Sequence, residues 1–554
     1  MTGGLGLTLL AALGAALVLG TIAHRLRLPA MFGYILAGLV IGPFTPGIVA
    51  DRDQVLELAD IGVALLMFSL GLRFSLSKLA NAGWLALVGA PVQVAITTAL
   101  GMLLSMALGR PPLEAFLLGA IVSTTSSVVM VKVTGETNLE TTIHGRIAIA
   151  WSLVQDLLTV LMVVVVAALA VESPTPVFDV LRSLAIALGF VIAVVVLGSR
   201  VLPPLLTRVA RLGSRELFVV AVAVIAIGTA TVAASVGVSV ALGAFVAGLT
   251  LSESDLAASV IGEVVPLREL FATMFFVSIG ILLQPLAILD QWQIFLLLLA
   301  MIVVAKSIAT AGIVLGGGYG PSVALRVAGL MPQCGEFSFV LATAGLQLGV
   351  IDGQTFSVAM GATIISILLA SPNFFASERL GDWLQRRGIF RRPLTGEAPA
   401  SATLRRHAVV LGYGQVGRTV CRALTTRNFP YVVIDSDYPV VRAARTGGVP
   451  IIYGDAGNVE VLHAANVDTA AVLVIAIPDP LAARQALEYG RGHNPRLEAV
   501  ARAGSEPEAI ELRRLGAGRV VIPQRELGAE FLRYALRRFG VSDREIDVML
   551  RRAT

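Results

Sequence analysis

Long apolar runs alternate with short polar interruptions over roughly the first two thirds of the chain, and the alternation stops near residue 376. Each run holds about 15 to 28 residues, the length that carries a helix across the hydrocarbon core of a bilayer. Thirteen runs can be marked off, at roughly 3–23, 31–48, 55–72, 83–107, 113–133, 146–170, 178–199, 216–234, 236–251, 267–284, 291–316, 322–349 and 353–376. The ninth is short and glycine-rich, so a count of twelve stays open. No Lys or Arg precedes the first run, and the first basic side chain is Arg25, which argues against a cleaved leader. After residue 376 comes a basic connector with Pro, Ala and Ser, then short β-branched runs in a more charged background. The expected organisation is a membrane domain over 1–378, a linker over 379–405, an α/β domain over 406–524 and a tail over 525–554.

Composition agrees with a polytopic membrane protein, for 56% of the 554 residues are hydrophobic and 14% charged. The basic residues then set the orientation. With the N-terminus outside, twelve fall in cytoplasmic loops, among them Arg27, Lys78, Lys132, Arg146, Arg200 and Arg326, against Arg52, Arg110 and Arg182 outside. That bias places the α/β domain in the cytoplasm. The net charge of +5 is accounted for by basic loops facing anionic lipid, so the expected partner is the bilayer and not nucleic acid. Two cysteines, Cys334 and Cys421, make no disulfide framework.

Charge inside the apolar runs carries the functional signal. Asp156 sits near the middle of AIAWSLVQDLLTVLMVVVV, beside Gln155. A carboxylate at that depth costs several kcal/mol, so such acids tend to be functional. Only three of the 42 basic residues are lysine, and one of them, Lys306, lies inside the eleventh run. A guanidinium cannot lose its proton in a protein, whereas a buried ammonium can. Asp156 is the expected partner of Lys306.

Two runs interrupt their own pattern. The fifth carries five consecutive hydroxyl residues from Ser123 to Ser127, and the twelfth carries Pro332, Gly335 and Glu336. Alone, each feature is compatible with hydroxyl back-bonding or a simple kink. Runs four to six and eleven to thirteen, however, form two three-helix units, each with its interrupted run second. Paired interruptions in two halves point to a transporter's midplane site. Thr124, Thr125 and Ser126 would supply neutral oxygens there. Asp156 belongs to the run after one break and Lys306 to the run before the other. Glu336 either completes the ion path or caps a half-helix, and the structural role is preferred. Asp60 is placed near the outer mouth.

The segments GYILAGLVIGPFTPG (33–47), IGVALLMFSLGLRFS (61–75), GRIAIAWSLVQDL (145–157), ALGAFVAGLTLSES (241–254), FFVSIGILLQP (275–285) and QCGEFSFVLA (333–342) together resemble the cation:proton antiporter-2 family. Within it they are similar to the Kef-type and YbaL-type bacterial potassium–proton antiporters. The resemblance implies an inverted-repeat fold with crossed broken helices, in a homodimer of the bacterial inner membrane. It implies alternating access, with Asp156 binding a monovalent cation and a proton in turn. Electrogenic relatives carry a second acid immediately before this one. Here that position is Gln155, which implies electroneutral exchange and resembles the potassium-handling branch. An ancillary regulatory protein is left open as a partner.

In the α/β domain, an apolar run from His407 to Leu411 leads into Gly412-Tyr413-Gly414-Gln415-Val416-Gly417, then a helix, then the strand YVVID ending in Asp435. That acid lies 23 residues beyond Gly412, where a ribose-binding carboxylate belongs in a dinucleotide fold. Further runs at 450–456, 471–477, 497–503 and 519–523 complete six strands of a doubly wound parallel sheet. The domain resembles an RCK (TrkA-N) module. The resemblance assigns Asp435 and Ser436 to the ribose, Asp455 and Ala456 to the adenine-side turn, and Arg502 to the fifth strand. It implies an adenine nucleotide, AMP or NAD(H). A glutathione adduct acts on this module in the Kef branch, but no residue here is assigned to it. The tail is expected to pack on the domain through a basic amphipathic helix.

The reading is a nucleotide-regulated potassium–proton antiporter. A sodium–proton antiporter of the same fold, a ligand-gated potassium efflux channel and a membrane-anchored NAD-dependent oxidoreductase stand as alternatives. The oxidoreductase lacks a substrate domain and a catalytic His or Tyr constellation.

Overall fold

The computed structural model describes residues 5–26, 28–44, 51–73, 83–137, 139, 142–169, 176–236, 238–252, 254–386 and 404–552. Arg27, Lys78 and residues 387–403 of the linker lie outside the described residues, as do the last two residues of the tail. Nine helices among the described residues are long and apolar enough to cross a membrane, and the pair Gly353–Leu368 and Ala370–Gly381, bent by 58°, makes a tenth. The shorter apolar helices Ala30–Ile41, Val240–Ser252 and Pro321–Leu330 bring the total to the thirteen segments expected from the apolar runs. One expectation needs correction. The seventh run does not end in a loop before Arg200, because its helix continues as Pro176–Arg211 through Pro203 and Pro204. Val201, Leu202, Leu205 and Leu206 keep the apolar periodicity going between the arginines.

The chain divides into two compact units. The first comprises 1–131, 147–313 and 328–377; the second comprises 132–146, 314–327 and 378–554. In the first unit, small residues let helix backbones touch. A Cβ on Gly38 would overlap the Val277 carbonyl, and one on Gly280 would overlap that of Ile35, so Ala30–Ile41 and Ala257–Leu282 meet without side chains between them. The helix Trp292–Gly316 contains a π turn at Met301–Ala305. Apart from Met301, its buried positions Ile294, Leu298, Ile302, Lys306, Thr310 and Val314 recur every fourth residue. On a helix of about 3.6 residues per turn that stripe drifts by about 40° per step. The wider turn takes up part of the drift and keeps Lys306 facing inward.

The second unit holds a six-stranded parallel sheet in the order β3-β2-β1-β4-β5-β6. The strands are β1 (Ala408–Leu411), β2 (Tyr431–Asp435), β3 (Ile451–Tyr453), β4 (Val472–Ile475), β5 (Glu498–Arg502) and β6 (Arg519–Val521). All six match the runs read from sequence. The order reverses between β1 and β4, which opens a crevice at the strand ends. The tail forms two helices, Pro523–Arg538 and Asp543–Arg552. They pair with each other through Arg537–Asp543 and Arg533–Asp547, at 2.6 and 3.3 Å. The tail was expected to pack on the domain, yet Pro523–Arg538 has no buried residue, and Leu527, Phe531 and Tyr534 are exposed. Arg525 of the first helix lies 3.4 Å from Glu506 of the domain, and Ile546 of the second helix is buried.

Candidate functional site

Both interrupted runs are broken helices. The first runs Pro112–Ser123, leaves helical geometry at Thr124–Ser126 and resumes as Ser127–Glu136. The second runs Pro321–Leu330, breaks over 331–335 and resumes as Glu336–Gln347. The breaks cross in contact, since a Cβ on Gly335 would lie 2.7 Å from the Ser126 Cα. Hydroxyls lace them together. Thr124 Oγ1 and Ser338 Oγ lie 2.9 Å apart, Ser338 donates to the Ile121 carbonyl at 2.8 Å, and Thr125 donates to that of Met331 at 3.2 Å. Ser126 Oγ accepts from the Val129 amide at 3.2 Å, capping the resumed helix.

Lys306 joins the same crossing, but through partners other than the one expected. Fully buried, it donates from Nζ to the carbonyl oxygens of Thr124 at 2.6 Å and Gln333 at 2.9 Å, one on each break. No ion pair with Asp156 is present among the described residues. The physical reason is that a helix break frees carbonyls that need donors, and an ammonium brings three.

Asp156 is only 3% exposed, and its Oδ1 has no hydrogen-bond partner. Glu336 is its charged neighbour and opens the resumed second helix, where the helix dipole favours an acid. Gln155 donates to Gln93 Oε1, which also accepts from Trp151 Nε1 at 3.4 Å. Gln93 in turn donates to the Ser123 carbonyl at 3.2 Å. Gln93 and Gln333 were not singled out from sequence, although a lone amide in an apolar run is a readable signal. Oδ1 of Asp156 and the Oε1 atoms of Gln155 and Gln333 are buried acceptors without partners, the kind of inventory a cation or proton can satisfy.

In the second unit the turn after β1 follows the glycine pattern. Gly412 has φ +95°, and a Cβ on Gly417 would overlap the Gly412 carbonyl. Asp435 accepts from the Tyr413 amide at 2.6 Å and the Asp437 amide at 2.8 Å. Burial pushes its carboxyl above the ordinary value, against the pull of those amides. A cavity of about 350 Å³ opens here, and Gly412, Gly414, Gln415, Val416, Asp435, Ser436, Asp455, Ala456 and Arg502 all line it. Tyr413 and Gly417 do not line it; they shape the turn behind it. The cavity fits a nucleotide in size and in its helix N-terminus.

Sequence reading did not foresee that Thr142, His144, Arg146 and Asp479 would also line the cavity. Arg146 Nη2 lies 3.6 Å from Asp437 Oδ2. Asp479 pairs with the buried Arg326, whose Nε is 3.6 Å from Glu378. Its other oxygen caps the helix Pro480–His493, accepting from the Leu481 and Ala482 amides at 3.0 and 3.2 Å. Burial pushes the Asp479 carboxyl up, but Arg326 and the Ala482 amide outweigh it and hold it below the ordinary range.

Residues 12–376 match the family described as sodium/hydrogen exchanger, transmembrane, and residues 408–523 match the TrkA-N domain. The chain is 36% identical over 538 residues to the putative cation/proton antiporter YbaL of Escherichia coli K12, covering 95% of this chain and 96% of that one. It is 30% identical over 523 residues to the glutathione-regulated potassium-efflux system protein KefC of Escherichia coli O81, strain ED1a, covering 93% and 82%. In fold it is similar to the sodium proton antiporter MjNhaP1 from Methanocaldococcus jannaschii, with a TM-score of 0.52 at 18% identity over 68% of this chain and 97% of that one.

Proposed function

This chain belongs to the sodium/hydrogen exchanger transmembrane family and is a cation/proton antiporter carrying a TrkA-N domain, and from that premise we propose that it exchanges potassium for protons, one for one, by alternating access under adenine-nucleotide control. It is a transporter and not an oxidoreductase. The observation that carries the reading is the buried carboxylate of Asp156, with an unpartnered Oδ1, in a chain whose two broken helices cross. An ionised Asp156 cut off from water is costly, so the site crosses only when a proton or a cation neutralises it. That requirement couples the two fluxes. Gln155 supplies no second charge, so one ion exchanges for one proton. Potassium is favoured because KefC is named a potassium-efflux system. In this reading the protein acts as a homodimer in the bacterial inner membrane, N-terminus outside, with AMP or NAD(H) in the cytoplasmic cavity setting its activity.

The test uses proteoliposomes with an internal pH dye and an imposed proton gradient, to which potassium or sodium is added. Dequenching by potassium in wild type, lost in Asp156→Asn, is the expected result. Proton-coupled flux persisting in Asp156→Asn removes that residue from the mechanism, and a response to sodium alone moves the selectivity to the sister activity.

A further inference from the structure

We propose that Arg146 completes the nucleotide cavity by supplying the positive charge that holds the ligand's phosphate. The inference rests on the nucleotide-binding reading above and extends it to a residue outside the TrkA-N fold. The whole cavity lies within the second unit, which includes residues 132–146 together with the parallel sheet.

The charge inventory of the lining makes the case. Four carboxylates, Asp435, Asp437, Asp455 and Asp479, face the cavity. A phosphomonoester brings about −1.5 to −2 charges at neutral pH, while a helix N-terminus offers about +0.5. An anion in this cavity therefore needs a cationic side chain. Arg326 is committed, for it is buried and bonded to Asp479, with Glu378 at 3.6 Å. His144 Nε2 faces the Arg326 guanidinium at 3.5 Å, an arrangement that suits a neutral ring. Two arginines line the cavity, Arg502 from β5 and Arg146 from the first turn of the helix Ile143–Leu169. The Arg146 side chain is 63% exposed and lies 3.6 Å from Asp437, a loose ion pair in solvent. Such pairs contribute little, so the guanidinium can turn to a ligand at small cost. Its partner Asp437 lies two residues beyond Asp435, and both acids line the cavity with Arg146.

A functional consequence follows from the chain itself. Arg146 lies on the helix Ile143–Leu169, ten residues before Asp156. A ligand held by Arg146 is bonded to the element that carries the transported ion. By linkage, potassium then alters AMP affinity by the same factor as AMP alters potassium affinity.

The experiment is calorimetric titration of the full-length protein with AMP and with adenosine, in wild type, Arg146→Gln and Arg146→Lys. AMP binds roughly ten-fold more weakly to Arg146→Gln, as expected for a lost charge-assisted contact. Arg146→Lys recovers part of the loss, and adenosine, which has no phosphate, is unaffected by either change. Equal AMP affinity in wild type and Arg146→Gln overturns the inference, as does an equal loss for adenosine, which would mark a merely structural role. If wild type binds neither AMP nor NAD(H), the nucleotide reading fails and this inference with it.

Discussion

Asp479 divides two oxygens among three tasks: it pairs with Arg326, caps a helix and lines the cavity at the glycine turn. Its carboxyl is held below the ordinary range, so the fold binds its charged form more tightly than the unfolded chain does. The stability it contributes is present above the ordinary value of 3.8 and is lost as pH falls through that value towards the lower folded one. Asp479→Asn is therefore expected to cost about 3 kcal/mol at neutral pH, and to lose less stability than wild type on acidification to about pH 3. Thermal melts followed by circular dichroism check this, and parallel acid profiles would refute it. Residue chemistry was partly legible in the sequence. The rarity of lysine marked Lys306, and depth in an apolar run marked Asp156. Their partners were not legible. A freed carbonyl belongs to every residue type, so nothing in the letters announced that the backbone oxygens of Thr124 and Gln333 would receive Lys306. Arg326 likewise reads as a loop charge until the fold brings Asp479 to it.

At the scale of elements, the breaks were the most legible features. Five hydroxyl residues in a row, and Pro with Gly inside an apolar run, each offer the backbone an alternative to the helix. The crossing itself gives a sharp expectation. Gly335→Ala puts a Cβ against the Ser126 backbone, 2.7 Å from its Cα, and should destabilise by about 1–3 kcal/mol while sharply reducing exchange. Gly312→Ala, on the Lys306 helix with open space around it, should be neutral or stabilising by up to about 1 kcal/mol. Melting temperature and dye-reported flux separate the two, and equal behaviour would show that the breaks do not touch as described. The π turn before Lys306 was invisible in the sequence. An extra residue in a helical turn leaves apolar letters apolar, and only the every-fourth recurrence of buried positions betrays it. Helix ends were also obscured where arginines interrupt an apolar stripe, as in Pro176–Arg211.

For the whole molecule, the proposed one-for-one exchange at the carboxylate beside Gln155 carries an electrical expectation. Exchange of one potassium for one proton moves no net charge, so solid-supported membranes loaded with the protein should give no transport current under conditions where a pH dye reports turnover. A steady current would require a second charge in the site. Chain order separated a membrane part from a soluble part at residue 378, and both folds agree with what the sequence led us to expect. What order along the chain cannot convey is that residues 132–146 and 314–327 cluster with the parallel sheet. Short basic loops carry no pattern of their own, and their membership is decided by the partners they meet.

The contact of Lys306 with both breaks can be restated as mechanics. Two hinges, each free to flex, have been riveted through one ammonium group, so the crossing loses an independent degree of freedom. A carrier whose joints flexed separately could open one face while the other was still ajar, and ions would slip through uncoupled. The ammonium and the hydroxyl links beside it would make such a joint move as one piece, and in the proposed cycle tightness against leakage would rest on these few bonds.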